Sequence, residues 1–193
     1  MTQANPSDEW LMGQVARGKR EHLEPLVRRY ASPLLTYIER MVGDRHRGED
    51  LFQEVFLAVW TKRATYRFPR TFRCWLFAIA TNRCRAAFRR AGPADLVPLG
   101  PSSSASPADR SPGPVEAAVA TETANLVATA VAQLPPQQRM VVVLRNWNGL
   151  SYAEIAQIVG RSEATVRSNM HHALAGIRRY LEPRMQTDTG AWQ

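Results

Sequence analysis

Two stretches of the chain carry side chains whose types and spacing can do chemistry, and in both it is non-covalent chemistry aimed at a polyanion. Residues 55–94 contain no aspartate or glutamate, but nine bases: Lys62, Arg63, Arg67, Arg70, Arg73, Arg83, Arg85, Arg89 and Arg90. Trp60, Tyr66, Phe68, Phe72, Trp75, Phe77 and Phe88 are interleaved with them. Arginines hold phosphates, and a loop aromatic can stack on an unpaired base, so the combination fits a single-stranded nucleic acid. A merely solvated face would mix charge signs. Phe72, Trp75, Leu76, Ile79 and Ala80 fall on one helical stripe, which leaves Arg73, Asn82, Arg85 and Arg89 towards solvent. Trp60, Phe72 and Trp75 are expected in the core. For Tyr66 and Phe68, on a loop from Arg63 to Thr71, core packing and base stacking both stay open.

The second stretch is Leu150 to Leu181. Ser151 followed by Glu154 is a capping box that starts a helix. Gly160 can adopt a left-handed backbone and end it, and Ser162 offers a second N-cap. Helix, short glycine turn, helix is the pattern whose second helix enters a major groove. Val166, Met170, Leu174, Ile177 and Leu181 predict its apolar stripe. Ala164, Thr165, Ser168, His171 and His172 fall on the other side, with Arg167 on the edge. Small residues at Ala164 and Ser168 allow a close approach to base edges, and Arg and Ser can donate to bases or phosphates. The plain alternative is a helical hairpin with a solvated basic face.

A third cluster is acidic. Residues 49–62 predict a helix with a broad apolar face from Leu51, Phe52, Val55, Phe56, Ala58 and Val59. Asp50, Gln53 and Glu54 form a compact polar patch opposite. Acids near a helix N-terminus also suit the helix dipole, so the residues alone read as a solvated helix face rather than a docking patch.

Nothing is arranged for catalysis. There is no paired-carboxylate metal site, no nucleophile with a matching base and no phosphate-binding glycine loop, and the four scattered histidines (His22, His46, His171, His172) make no ligand set. No enzyme activity, metal or cofactor is therefore expected. Cys74 and Cys84, if on one helix, lie about 15 Å apart, too far to pair, and read as reduced structural thiols. The net charge of +8 and a pI near 10.3 point to an anionic partner. No apolar run approaches the roughly 20 residues of a membrane span, and no basic start precedes an apolar core, so no membrane insertion and a cytoplasmic location are expected.

The elements that must position these side chains follow from periodicity. A short helix is predicted from Ser7 to about Val15, ended by Gly18. A second carries Leu23, Leu26, Val27, Tyr30, Leu34, Ile38 and Met41, with Pro33 expected to kink or restart it, Gly43 closing it and Asp44 opening the next. Residues 92–114 hold six prolines, five serines and three glycines among 23 residues, a linker composition. An alanine-rich helix from about Val115 to Leu134 follows, then Pro136 in the first turn of a helix with Met140, Val141, Val143, Leu144 and Trp147. The expected class is all-α: a helical domain over 1–91, a linker over 92–114, a helix-turn-helix domain over 115–184 and a disordered tail over 185–193. Residues 1–91 carry +8, residues 92–134 carry −3 and residues 135–184 carry +4, so both folded parts are basic and two contacts with one polyanion are expected.

Taken together, these motifs resemble a known family. Glu49-Asp50-Leu51-Phe52-Gln53-Glu54-Val55-Phe56, Trp60, then Phe72-x-x-Trp75-Leu76-x-x-Ile79-Ala80-x-Asn82, is similar to region 2 of bacterial RNA polymerase sigma factors. Leu134-Pro135, Arg139, Gly149-Leu150-Ser151-Tyr152-x-Glu154-Ile155-Ala156, Gly160 and Thr165-Val166-Arg167-Ser168 is similar to their region 4. Both in this order, with no region-3 domain between, resemble the extracytoplasmic-function class. The resemblance implies that Asp50, Gln53, Glu54 and Phe56 dock on the clamp of the core RNA polymerase largest subunit. It implies that Tyr66, Arg67, Phe68, Arg73, Asn82, Arg85 and Arg89 hold the melted minus-ten promoter element. It implies that Arg161, Ser162, Ala164, Thr165, Arg167, Ser168, His171 and His172 read the duplex minus-thirty-five element. An anti-sigma factor is a common partner in the class. Asn169 and His172 stand where basic residues are frequent, and Gly48 stands where alanine is usual. A stand-alone helix-turn-helix regulator would account for residues 151–181 but not for the acid-free aromatic stretch or the acidic patch.

Overall fold

In the computed structural model, residues 6–90 and 114–186 are described, and they form eight α-helices. The N-terminal part holds α1 (Asp8–Ala16), α2 (Leu23–Val42), α3 (Arg45–Thr61) and α4 (Phe72–Arg90). The C-terminal part holds α5 (Pro114–Ala132), α6 (Pro136–Asn146), α7 (Tyr152–Val159) and α8 (Glu163–Gln186). The expected linker falls almost wholly, and the expected tail largely, outside the described residues.

Local chemistry sets most of the boundaries. Ser7 accepts from the Trp10 amide at 3.2 Å and caps α1. Gly43, at φ 80°, ends α2, and Asp44 accepts from the Arg47 amide at 2.7 Å to begin α3. Pro33 neither stops nor restarts α2, which runs unbroken through it. Packing overrides the local penalty here, because Leu34, Tyr37, Ile38 and Met41 beyond the proline are fully buried. Gly48 is helical and buried where α3 crosses α2, and a Cβ there would stand 3.0 Å from Glu39 Cγ. The glycine thus exchanges helix propensity for a close crossing.

The N-terminal core is built by α2, α3 and α4. Tyr37, Phe72, Phe77 and Leu76 are fully buried in it, and the Tyr37 hydroxyl lies 2.8 Å from Thr81 Oγ1. Cys74 and Cys84 are free and buried, and burial pushes the Cys84 thiol up to about 12. In the C-terminal part α8 packs on α5, α6 and α7. Its inner stripe is Val166, Met170, Ala173 and Ile177. Leu174, expected in that stripe, is exposed, because the helix turns Ala173 inward instead.

The two parts pack against each other through α4 on α7 and α2 on α6. This explains why α6 is buried nearly all round, from Arg139 to Leu144, rather than on one face. Among the described residues no helix is long and apolar enough to cross a membrane.

Candidate nucleic-acid interface

The helix-turn-helix is assembled from the capping chemistry its sequence encodes. Ser151 Oγ accepts from the Glu154 amide at 3.2 Å, and Glu154 Oε2 accepts from the Ser151 amide at 2.8 Å. Burial alone would raise the Glu154 carboxyl, but these hydrogen bonds to Ser151 and the charge of Arg73 hold it below its ordinary range. Gly160, at φ 68°, closes α7. Ser162 Oγ accepts from the Thr165 amide at 3.2 Å and starts α8. The outer face of α8 then presents Ala164, Thr165, Arg167, Ser168, His171 and His172, all exposed, with exposed Arg161 and Ser162 just before it. Asn169 is half-buried. His172 also borders a groove against α5, lined by Gln133, Leu134 and Arg179.

Arg167 is held by two neighbours. Its Nη2 lies 2.5 Å from Glu163 Oε1, and its guanidinium carbon sits 4.6 Å from the centroid of the Tyr152 ring. Arg145 lies over the same ring at 5.0 Å and donates to the Leu150 carbonyl at 2.9 Å.

In the N-terminal part the loop between α3 and α4 separates its two aromatics. Tyr66 is 7% exposed, packs edge-on to Trp75 at 5.3 Å between centroids, and donates its hydroxyl to the Arg70 carbonyl at 2.8 Å. It belongs to the core, so the expected contact of its ring with a base is not available on this surface. Phe68 is 79% exposed, next to a cis bond to Pro69. Exposed Arg67 lies beside it and donates to the Ala64 and Tyr66 carbonyls. Thr65, Arg67, Phe68, Pro69, Arg70 and Trp75 line an open groove, and Gln157 of α7 closes one side of it.

Asn82 and Arg89 are exposed on α4, as expected. Arg73 and Arg85 do not point to solvent. Arg73 donates to the Asn148 carbonyl, and Arg85 donates to the Val159 carbonyl at 3.1 Å. Both therefore face the C-terminal part, at a turn and a helix end where backbone oxygens carry partial negative charge. The joint has further polar ties. Asn148 Nδ2 donates to the Pro33 carbonyl at 3.1 Å, and Arg40 stacks over Trp147 at 4.2 Å. Arg139, 7% exposed, donates to the Met41 carbonyl at 2.8 Å and to the Ala132 and Leu134 carbonyls. Burial lowers its pKa from the ordinary arginine value. Its role as a bridge was invisible in sequence, where an arginine inside an apolar helix carries no sign of its partner.

On α3, Asp50 and Gln53 are exposed, and Glu54 lies 3.3 Å from Arg83 on α4. Phe56 is 9% exposed and packs on Phe52 at 5.1 Å, so its ring is core and is not offered to a partner. The exposed apolar side chain on the acidic face is Leu57, at 64%. Its spacing of seven from Asp50 and four from Gln53 could have revealed it.

Fold and site thus define a two-part helical protein of the helix-turn-helix class with a basic helix and a separate acidic patch. Comparison with known proteins narrows this. The "Sigma-70 region 2" family matches residues 26–93, and "Sigma-70, region 4" matches residues 124–175. The ECF RNA polymerase sigma factor ShbA of Streptomyces griseus subsp. griseus is 37% identical over 171 residues, covering 83% of this chain and 84% of that protein. The ECF RNA polymerase sigma factor SigE of Mycolicibacterium smegmatis is 34% identical over 158 residues, covering 82% of this chain and 61% of that protein. The fold is also that of CnrH, solved in complex with the cytosolic domain of CnrY, with a TM-score of 0.69 at 24% identity over 92% of this chain and 99% of that one. The chain belongs to the extracytoplasmic-function class of the sigma-70 family of RNA polymerase sigma factors.

Proposed function

We propose that the protein binds core RNA polymerase and directs it to promoters, reading duplex DNA with α8 and holding a melted strand with the loop before α4 and with α4 itself. The observation that carries this is the coexistence, in one chain, of a capped helix-turn-helix with an exposed small-residue face and an acid-free basic helix beside an exposed loop aromatic. The first suits a major groove and the second a single strand. Residue by residue, Ala164, Thr165, Arg167 and Ser168 approach base edges, with Arg161, Ser162, His171 and His172 flanking them. Phe68, Arg67, Asn82 and Arg89 meet the melted strand, and Arg73 and Arg85 join them once the two parts separate. Asp50, Gln53 and Leu57 form the docking face for polymerase, with Glu54 at its edge. The protein itself performs no covalent step in this scheme, works where the polymerase works, and has an anti-sigma protein as a further expected partner.

The test is whether tight, sequence-selective DNA retention requires polymerase. Sheared DNA of the source genome is incubated with this protein alone, with core polymerase alone and with both, and the retained fragments are sequenced. Enrichment of defined fragments only with both supports the assignment. Equal enrichment by the protein alone would instead make it a stand-alone duplex-binding regulator.

A further inference from the structure

The placing of α8 in the major groove leaves open what Arg167, exposed in its first turns, does there. We infer that Tyr152 and Glu163 are positioning residues that aim Arg167 at a guanine, and that Arg167 is a base reader rather than a phosphate clamp. This rests on the proposed reading of α8.

The argument begins with charge. Arg167 lies 2.5 Å from the Glu163 carboxylate, one helical turn away. A phosphate-binding arginine gains from its uncompensated charge, whereas a carboxylate at this distance would repel the phosphate. A charge-compensated guanidinium is poorly suited to hold a backbone, but with one Nη2 hydrogen given to Glu163 it keeps four N–H groups as directional donors to a base edge.

Geometry gives the second half. An exposed i,i+4 ion pair alone is a weak restraint. Here the guanidinium is also stacked over Tyr152, at 4.6 Å from the ring centroid. The ring does not depend on Arg167 for its own place. Tyr152 opens α7 directly after the Ser151 cap, is half-buried against the core, and lies under Arg145, which is tied to the Leu150 carbonyl. One restraint thus comes from α8 and the other from α7. A planar fork fixed in direction before DNA arrives loses less rotamer freedom on binding, and it matches the paired O6 and N7 acceptors of guanine in the major groove.

The test uses holoenzyme made from core polymerase and the full-length chain, with a pool of promoter duplexes whose upstream element is randomised. Retained duplexes are sequenced, and overall retention is followed against salt. The wild-type chain is expected to select guanine at a defined position, and Arg167→Ala to lose that choice. Tyr152→Leu, which keeps an apolar side chain against the core, is expected to reduce the guanine preference about tenfold without changing the salt dependence. Tyr152→Phe, which keeps the ring, is expected to retain it. Glu163→Gln, which leaves the core untouched, is expected to lower the preference and to steepen the salt dependence by about one phosphate contact. Undiminished guanine preference in Tyr152→Leu and Glu163→Gln would overturn the positioning roles while leaving α8 in the groove. Loss of retention by Tyr152→Leu equally on every sequence, or equal losses in Tyr152→Phe and Tyr152→Leu, would overturn them as well. An unchanged preference in Arg167→Ala would overturn Arg167 as the base reader, and this inference with it, while leaving Ala164, Thr165 and Ser168 in the groove.

Discussion

Asp50 and Phe56 lie on the same helix and were both expected to meet polymerase, but the structure gives them different surroundings. Asp50 is exposed and Phe56 is in the core beside Phe52. Substituting Asp50 and Gln53 together by alanine is expected to weaken polymerase binding while changing stability by no more than about 0.5 kcal/mol, as for surface sites generally. Phe56→Ala is expected to cost about 3–5 kcal/mol of stability, the range for a buried aromatic. Urea unfolding and a polymerase titration on the same variants separate the two effects. A loss of binding in Phe56→Ala with stability unchanged would show the ring to be part of the docking face after all. Phe68 and Tyr66 divide similarly. Phe68→Ala is expected to leave stability nearly unchanged and to impair opening of promoter DNA, read by permanganate reactivity of unpaired thymines. Periodicity already set Phe56 on the apolar face opposite Asp50, but sequence could not separate Tyr66 from Phe68, because an aromatic between arginines looks the same whether its ring turns in or out.

At the scale of elements, the turn of the helix-turn-helix was legible because its signals are local. Ser151, Glu154, Gly160 and Ser162 each act on backbone groups within a few residues, and each does so in the structure. Ser151→Ala is expected to cost about 1 kcal/mol, the usual loss of an N-cap. The Glu154 half of the box depends on pH. Its carboxyl is lowered in the folded chain, so its contribution is complete above the ordinary carboxylate range and is lost as pH falls through the lowered value. The stability difference between wild type and Glu154→Gln should therefore be largest near neutral pH and close in acid, measured by urea unfolding across that range. The unbroken α2 and the outward Leu174 were not legible, since both depend on which neighbours supply packing. Pro33 is tolerated because the helix beyond it is buried, and Leu174 loses its place to the smaller Ala173.

Across the whole molecule, the joint between the two parts adds polar ties to the apolar burial of α6. Arg73, Arg85, Arg139 and Asn148 tie backbone carbonyls across it, and Arg40 stacks on Trp147. Nε of Arg40, Arg85 and Arg139 and Oδ1 of Asn148 are buried there without a hydrogen-bond partner among the described residues. Each such atom costs stability, so this closed arrangement is held more weakly than it would be with those atoms paired. Arg73 and Arg85 cannot serve the Asn148 and Val159 carbonyls and a promoter strand together. Fluorophores placed on the exposed positions Arg28 of α2 and Arg178 of α8 are expected to report a shorter separation in the free chain than in the holoenzyme. An unchanged separation would mean that α4 meets DNA without Arg73 and Arg85, which stay engaged at the joint. None of these ties has a signature in the chain, because their acceptors are main-chain oxygens far away in sequence.

The central claim is that this protein gives polymerase its promoters. The most direct measurement is transcription by purified bacterial core polymerase on sheared DNA of the source genome, with and without the protein, with the 5′ ends of the products mapped. The account predicts new transcripts with defined starts that appear only when the protein is added and that share upstream sequences at a fixed spacing. Unchanged transcription, together with tight duplex binding by the protein alone, would contradict it.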